Sequence, residues 1–284
     1  MISICHLCGQ KKDICNSHIL PKFIEKYLKE TSATGYIRTL SNPNQRQQKF
    51  QTEKLFCKDC EDVFSREEKA FCEQMFLPHL KKPQQEYEYD EWLSRFVISL
   101  GYKRIVSSIV DLSKEFQMRI EEAKNIWRDY LLGNRTDYGL YKINIILLGY
   151  ITETTLALPS GNSYLMRIPD ITYARTETEI SLYIKLPGFV FWINIEPKFM
   201  VKNSENTEIQ KQGRLESGYK YIYDSRIGDF INSRAVLVSE GKQLLSEKQK
   251  QKISDDYLKN PDRAINSETV KAYILDKNRK KKKD

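Results

Sequence analysis

An α+β fold is what this 284-residue sequence predicts, on three observations. Two Cys-x-x-Cys pairs, Cys5/Cys8 and Cys57/Cys60, bracket the N-terminal segment. A pair of amphipathic helical stripes follows, between about residues 90 and 132. Beyond residue 141 the texture changes to short runs of Ile, Tyr, Val and Phe separated by Gly and Pro, the mark of a mainly antiparallel β region. The expected organisation is a cysteine-bearing module over 1–80, an α+β region over 81–276 and a basic disordered tail over 277–284.

The elements follow in chain order. His18 falls at the end of a strand, and Pro21 suits the first position of a helix carrying Phe23, Ile24, Tyr27 and Leu28 at helical spacing. Ser41 to Gln48 is polar and turn-rich, a loop or ribbon. Lys54-Leu55-Phe56 leads into the second cysteine pair. Glu61 to Leu80 reads as one or two helical segments, with a break suggested by the capping-box pattern Ser65-x-x-Glu68. Pro78 and Pro83 mark a boundary. Helices are then expected over Asp90–Ser108 and Ser113–Leu132, the second closed by Gly133. Strands are expected at Tyr141–Thr152, Tyr164–Ile168, Glu179–Leu186 and Phe189–Ile195. Their rings, Tyr183, Phe189, Phe191 and Trp192, either pack against the helices or stack bases on an open face. Ser246 starts a last helix, and Asn260-Pro261 stops it.

Composition narrows the function classes. Hydrophobic residues make up 40 % and charged residues 30 % of the chain, as in ordinary globular proteins. The start lacks the basic and apolar regions of an export signal, and Ile143 to Ile151 is too short to span a bilayer. An intracellular, cytoplasmic protein without a membrane partner is expected. The net charge of +8 suits a polyanionic partner, because Lys and Arg displace counterions from phosphates. Some of that excess lies in Lys277 to Lys283, which reads as a solubilising end or a phosphate contact.

Of the six cysteines, four sit in the two pairs, while Cys15 and Cys72 stand alone. Two residues between cysteines let both sulfurs reach one metal from a tight turn, and four thiolates complete a tetrahedral zinc site. Two pairs so close argue against a dithiol redox centre. His6 lies inside the first pair; with four cysteines available it reads as solvent-facing. The segment Ser17-His18-Ile19-Leu20-Pro21 places a second histidine between the pairs. Its imidazole is either hydrogen-bonded within a small zinc domain or a general base, its ordinary pKa near ~6.5 letting it take a proton from water at neutral pH.

Cys5-x-x-Cys8, Ser17-His18-Ile19-Leu20-Pro21 and Leu55-Phe56-Cys57-x-x-Cys60-Glu61 together resemble the cysteine-bearing HNH endonucleases. Those read Cys-x-x-Cys, Asp-His-Ile-x-Pro, then Leu-Cys-x-x-Cys followed by Asn or His. The resemblance covers the first 65 to 80 residues or so; the whole chain also resembles bacterial HNH-like proteins with a SHIIPK segment, some linked to anti-phage defence. It implies a zinc-bound treble-clef or ββα module that hydrolyses DNA, or RNA, with Mg²⁺ or Mn²⁺. His18 falls on the general base, Cys5, Cys8, Cys57 and Cys60 on the zinc ligands, and Glu61 on the ligand position of the catalytic ion. Ser17 stands where the family carries an acidic or histidine ligand. The central Asn has no counterpart, although Gln48, Gln51 and Glu53 lie nearby. The contrasting expectation is a non-catalytic zinc module that binds nucleic acid or a protein partner.

Overall fold

The computed structural model describes residues 2–39, 42–107, 112–152, 158–195, 207–217 and 225–281. Strands β1 (Ile2–Ile4) and β2 (Lys11–His18) pair around the first cysteine turn. Helix α1 (Lys22–Glu30) follows, with Pro21 as its N-cap residue rather than its first helical residue. Strand β3 (Thr52–Cys57) returns antiparallel to β2 and runs directly into helix α2 (Lys58–Phe71). The expected break at Ser65 is not there. Phe64 and Phe71, seven residues apart, are both buried on one face of α2, and that stripe overrides a local capping signal. The irregularity comes later, as a π-helical turn over Cys72–Phe76 before helix α3 (Leu77–Lys81). Pro78 explains it: proline has no N–H and crowds the carbonyl four residues back, which a widened turn relieves.

Strand β4 (Glu86–Tyr89) alternates exposed and buried positions, as a half-buried strand should. Most of helix α4 (Glu91–Ser107) is buried, and helix α5 (Lys114–Leu132) lies against it. The ends of α5 are those expected: the Ser113 Oγ accepts from the Phe116 N–H at 3.3 Å, and Gly133 closes the helix at φ +79°. Ser108, the expected end of α4, lies outside the described residues, as does Ser41 at the start of the polar loop.

Strand β5 (Ile143–Leu147) is shorter than the expected Tyr141–Thr152. The expected strand at Tyr164–Ile168 is instead helix α6 (Gly161–Arg167). A carboxylate 114 residues away decides this, for Asp276 accepts the Asn162 and Ser163 N–H groups at 2.7 and 3.0 Å and caps the helix start. Strands β6 (Asp170–Arg175), β7 (Ile180–Leu186) and β8 (Phe189–Asn194) complete an antiparallel sheet in the order β5-β8-β7-β6. Strand β9 (Gly213–Glu216) pairs with β4. Helices α7 (Ser225–Gln243), α8 (Glu247–Lys259), α9 (Pro261–Ile265) and α10 (Glu268–Lys281) finish the described chain. Ser246 caps α8 and Asn260 ends it, as read from the sequence. The expected tail does not start at Lys277: α10 continues through it, and Arg279 is buried, donating to the Leu158 carbonyl. Residues 282–284 lie outside the described residues.

The β5–β8 sheet is buried on both faces, so its rings are core, not an open stacking platform. Phe189 and Phe191 face α2 and α4, in one hydrophobic cluster with Phe71, Phe76 and Phe96. Tyr183 and Trp192 face the other way, toward Ile227, Ile231 and Phe230 of α7. The first cluster also contains Cys5, Leu7 and Phe56, so the core is continuous across the Pro78–Pro83 turn. Phe71 sits at its crossing, stacked on Phe96 at 4.1 Å between ring centres and edge-on to Phe189 at 5.1 Å. Phe71→Ala should therefore cost about 3–5 kcal/mol in urea unfolding. A loss below about 1 kcal/mol would show that this ring does not join the two halves.

Candidate metal centre

The first cysteine turn is built by backbone bonds. Cys5 N–H donates to the Gln10 carbonyl and Gly9 N–H to the Cys5 carbonyl, each at 2.9 Å. Gly9 takes φ +72°, which glycine adopts without strain. His6 N–H reaches across to the Leu55 carbonyl at 3.0 Å, docking the turn on β3, while the His6 side chain is exposed as expected. The second pair straddles a helix start: Cys57 is the N-cap residue of α2, and Cys60 lies in its first turn. Knuckle, hairpin and helix thus follow in order, and both cysteine pairs meet at one end of the hairpin.

The four sulfurs all lie within 4.8 Å of one another, and Cys8 and Cys57 are 3.9 Å apart. Zinc–sulfur bonds of ~2.3 Å in a tetrahedron place sulfurs about 3.8 Å apart, so the set fits a four-thiolate zinc ion. Disulfides do not account for it, since all six cysteines are free. Cys5, Cys57 and Cys60 are buried and Cys8 is partly exposed. Burial opposes ionisation of Cys5, yet N–H groups of Cys57, Cys8 and Leu7 outweigh it and bring the thiol down to about 7. Burial and the neighbouring thiols push Cys60 far above the thiol range, and burial also raises Cys8. Four crowded thiols of this kind are held as thiolates by a cation. Cys15, at a register shift in β2, and Cys72 lie outside the set.

Strand alternation parts Ser17 from His18. Ser17 is fully buried, its Oγ accepting the Phe56 N–H at 3.3 Å, so the hydroxyl ties β2 to β3. His18 is the last residue of β2, opposite Thr52 and half-buried. Glu61 is half-buried in the first turn of α2, and its Oε1 is buried with no hydrogen-bond partner among the described residues. Among the described residues only the four cysteines converge as a set of three or more possible ligands. His18 and Glu61 join no second set.

One residue near His18 escaped the sequence reading. Glu25, on α1, is buried. Burial works against its charge, but the Phe50 N–H at 2.7 Å, Lys29 at 3.0 Å and the field of His18 prevail and hold its carboxyl below the usual range. An acid seven residues beyond the histidine, after a proline turn, is the signal that could have found it.

No protein-family model matches the chain, and no match is found among curated proteins or solved structures. No described helix is long and apolar enough to cross a membrane.

The metal fit makes a direct prediction. Freshly purified protein should carry close to one zinc per chain by mass spectrometry, and Cys60→Ser well under half of that. Because thiolates bind the metal and thiols do not, zinc retention should weaken as pH falls. A wild-type protein with little zinc contradicts the site.

Proposed function

We propose that the chain is an HNH-type endonuclease that hydrolyses DNA phosphodiester bonds with Mg²⁺ or Mn²⁺ on a zinc-pinned scaffold. The observation that supports it most is the place of His18. It ends a strand whose hairpin is anchored at the cysteine cluster, and it is half-exposed, with the buried Glu25 carboxylate within range of its field. A half-exposed imidazole there can take a proton from water. Glu61, with an unpartnered buried oxygen, is the residue that would hold a divalent ion. Such an ion supplies charge stabilisation at the phosphate and the leaving oxygen. Ser17 has no part in this reading, because its hydroxyl is already used between the strands. The region after α3 would receive the trigger of a defence effector.

The second reading is a zinc module that binds nucleic acid or a protein without cutting. The buried Ser17, and the lack of a second ligand set among the described residues, favour it.

Plasmid DNA incubated with Mg²⁺ or Mn²⁺ separates the two. Wild-type protein should nick it, and His18→Ala should lose about 10²–10⁴-fold in rate while keeping its zinc. Glu25→Gln should lose less. If neither wild type nor mutant cuts in any metal, yet both shift DNA equally in a gel, the second reading stands.

A further inference from the structure

Arg38 lies in the connection between α1 and β3, next to Ile37, which forms a β-bridge with Gln47. Its Nε and Nη2 are buried and find no acceptor among the described residues. These two N–H groups share one edge of the guanidinium, the fork that grips an oxyanion through two parallel bonds. Buried charged donors left without an acceptor are costly. Asp256, whose field Arg38 feels, is held by Arg46 at 2.7 Å.

Arg38 and Arg167 line both of two neighbouring cavities. The larger, about 710 Å³, is walled by Arg38, Arg104, Arg167 and Arg234 against the carboxylates Glu53 and Asp170. Asp170 is taken by Arg234, at 2.7 and 2.9 Å. Arg104 donates to the Ile171 carbonyl at 3.2 Å, and Arg167 to Thr31 Oγ1 and the Leu28 carbonyl at 2.6 and 2.8 Å. Both therefore keep their charge against neutral acceptors, and the wall carries two more cations than anions. The smaller cavity, about 260 Å³, is an apolar slot between Leu28, Ile37, Leu245 and Ile253, with Tyr36 and Tyr257 at its sides. Among the described residues no carboxylate lines it.

We propose that this two-part cleft binds a phosphate monoester with a flat apolar body, of about nucleoside-monophosphate size. The phosphate takes the Arg38 fork once the side chain turns its buried edge into the larger cavity, and the body fills the slot beside Tyr257. An excess of two cations matches a dianion better than a monocarboxylate. Aromatic walls stack on a base of any identity. Taken together, the two volumes fall in the range of roughly 300–1,000 Å³ typical of small-ligand sites. The assignment does not depend on whether His18 cuts.

Calorimetry on the zinc-loaded full chain tests it, with adenosine and uridine 5′-monophosphate, inorganic phosphate, benzoate and a single-stranded DNA 12-mer as probes. At least one nucleotide should bind one-to-one below about 1 mM, with phosphate competing at least about tenfold more weakly. Arg38→Lys keeps a charge but removes the fork, and should weaken nucleotide binding at least about tenfold with melting temperature and zinc content unchanged. Tyr257→Ala should weaken the nucleotide and spare phosphate. The competition by phosphate needs no variant, so a poorly folded Arg38→Lys leaves the test intact. The proposal is overturned if neither nucleotide binds, if Arg38→Lys binds like wild type, or if benzoate binds as well as the nucleotides. An Arg38-dependent 12-mer binding more tightly than either nucleotide would also overturn it, making the cleft a groove for a nucleic-acid backbone.

Discussion

The convergence of four thiols at the start of α2 is the constraint on which the rest of the fold depends. A metal there closes a loop of about 50 residues, and closing a loop of that size restricts the unfolded chain by roughly 4 kcal/mol on the usual chain-entropy scale. It also fixes α2 at one end. The other end of α2 carries Phe71 into the ring cluster over the β5–β8 sheet. Between them, Glu67 pairs with Arg95 and Glu68 with Lys103, both on α4. Arg95 in turn donates to the Tyr130 and Leu131 carbonyls at the end of α5. One helix thus links the cysteine site to α4, to the end of α5 and to the β5–β8 sheet. Tyr102 of α4 completes the return path by donating to the His6 carbonyl at 2.5 Å.

Interior cations change the meaning of the net charge. Lys103, Lys185 and Arg279 are buried, and most of the Arg167 side chain is enclosed. Burial brings the Lys185 ammonium down to about 7, with Asp170 offsetting part of that. Arg167 and Arg263 donate to carbonyls of residues 28, 29 and 32 near the C-terminal end of α1, where the helix dipole favours positive charge. These cations are fastenings between distant segments. A charge count treats them as surface field, and so overstates the attraction of the exterior for a polyanion.

What the sequence made legible was whatever it encodes locally. The cysteine spacing, the Ser113 and Ser246 caps, Gly133, and the β-rich runs of β7 and β8 are all short-range patterns, and all appear where expected. Two of the misreadings share a cause of the opposite kind. Helix α6 is capped by Asp276, and α10 is held by Arg279 on the Leu158 carbonyl, so each needs a partner more than 100 residues away. Around the candidate site the same division holds. The cysteines were readable as a set, while the burial of Ser17 depends on which face of β2 meets α2, and Glu25 on how α1 folds back.

The Arg38 cleft and the His18 hairpin are not independent parts of the molecule. Ile19 and Leu20, directly after His18, line the larger cavity, as do Gln51 and Glu53 on either side of Thr52, the cross-strand partner of His18. The opposite wall comes from α4, α6 and α7, through Arg104, Arg167 and Arg234. Material filling that space would press on the free end of a hairpin whose other end the cysteines hold fixed. A hairpin pinned at one end and walled at the other has little freedom except at the His18–Thr52 pair. Whatever His18 does, it sits between the cysteines that hold one end of the hairpin and the cavity wall at the other.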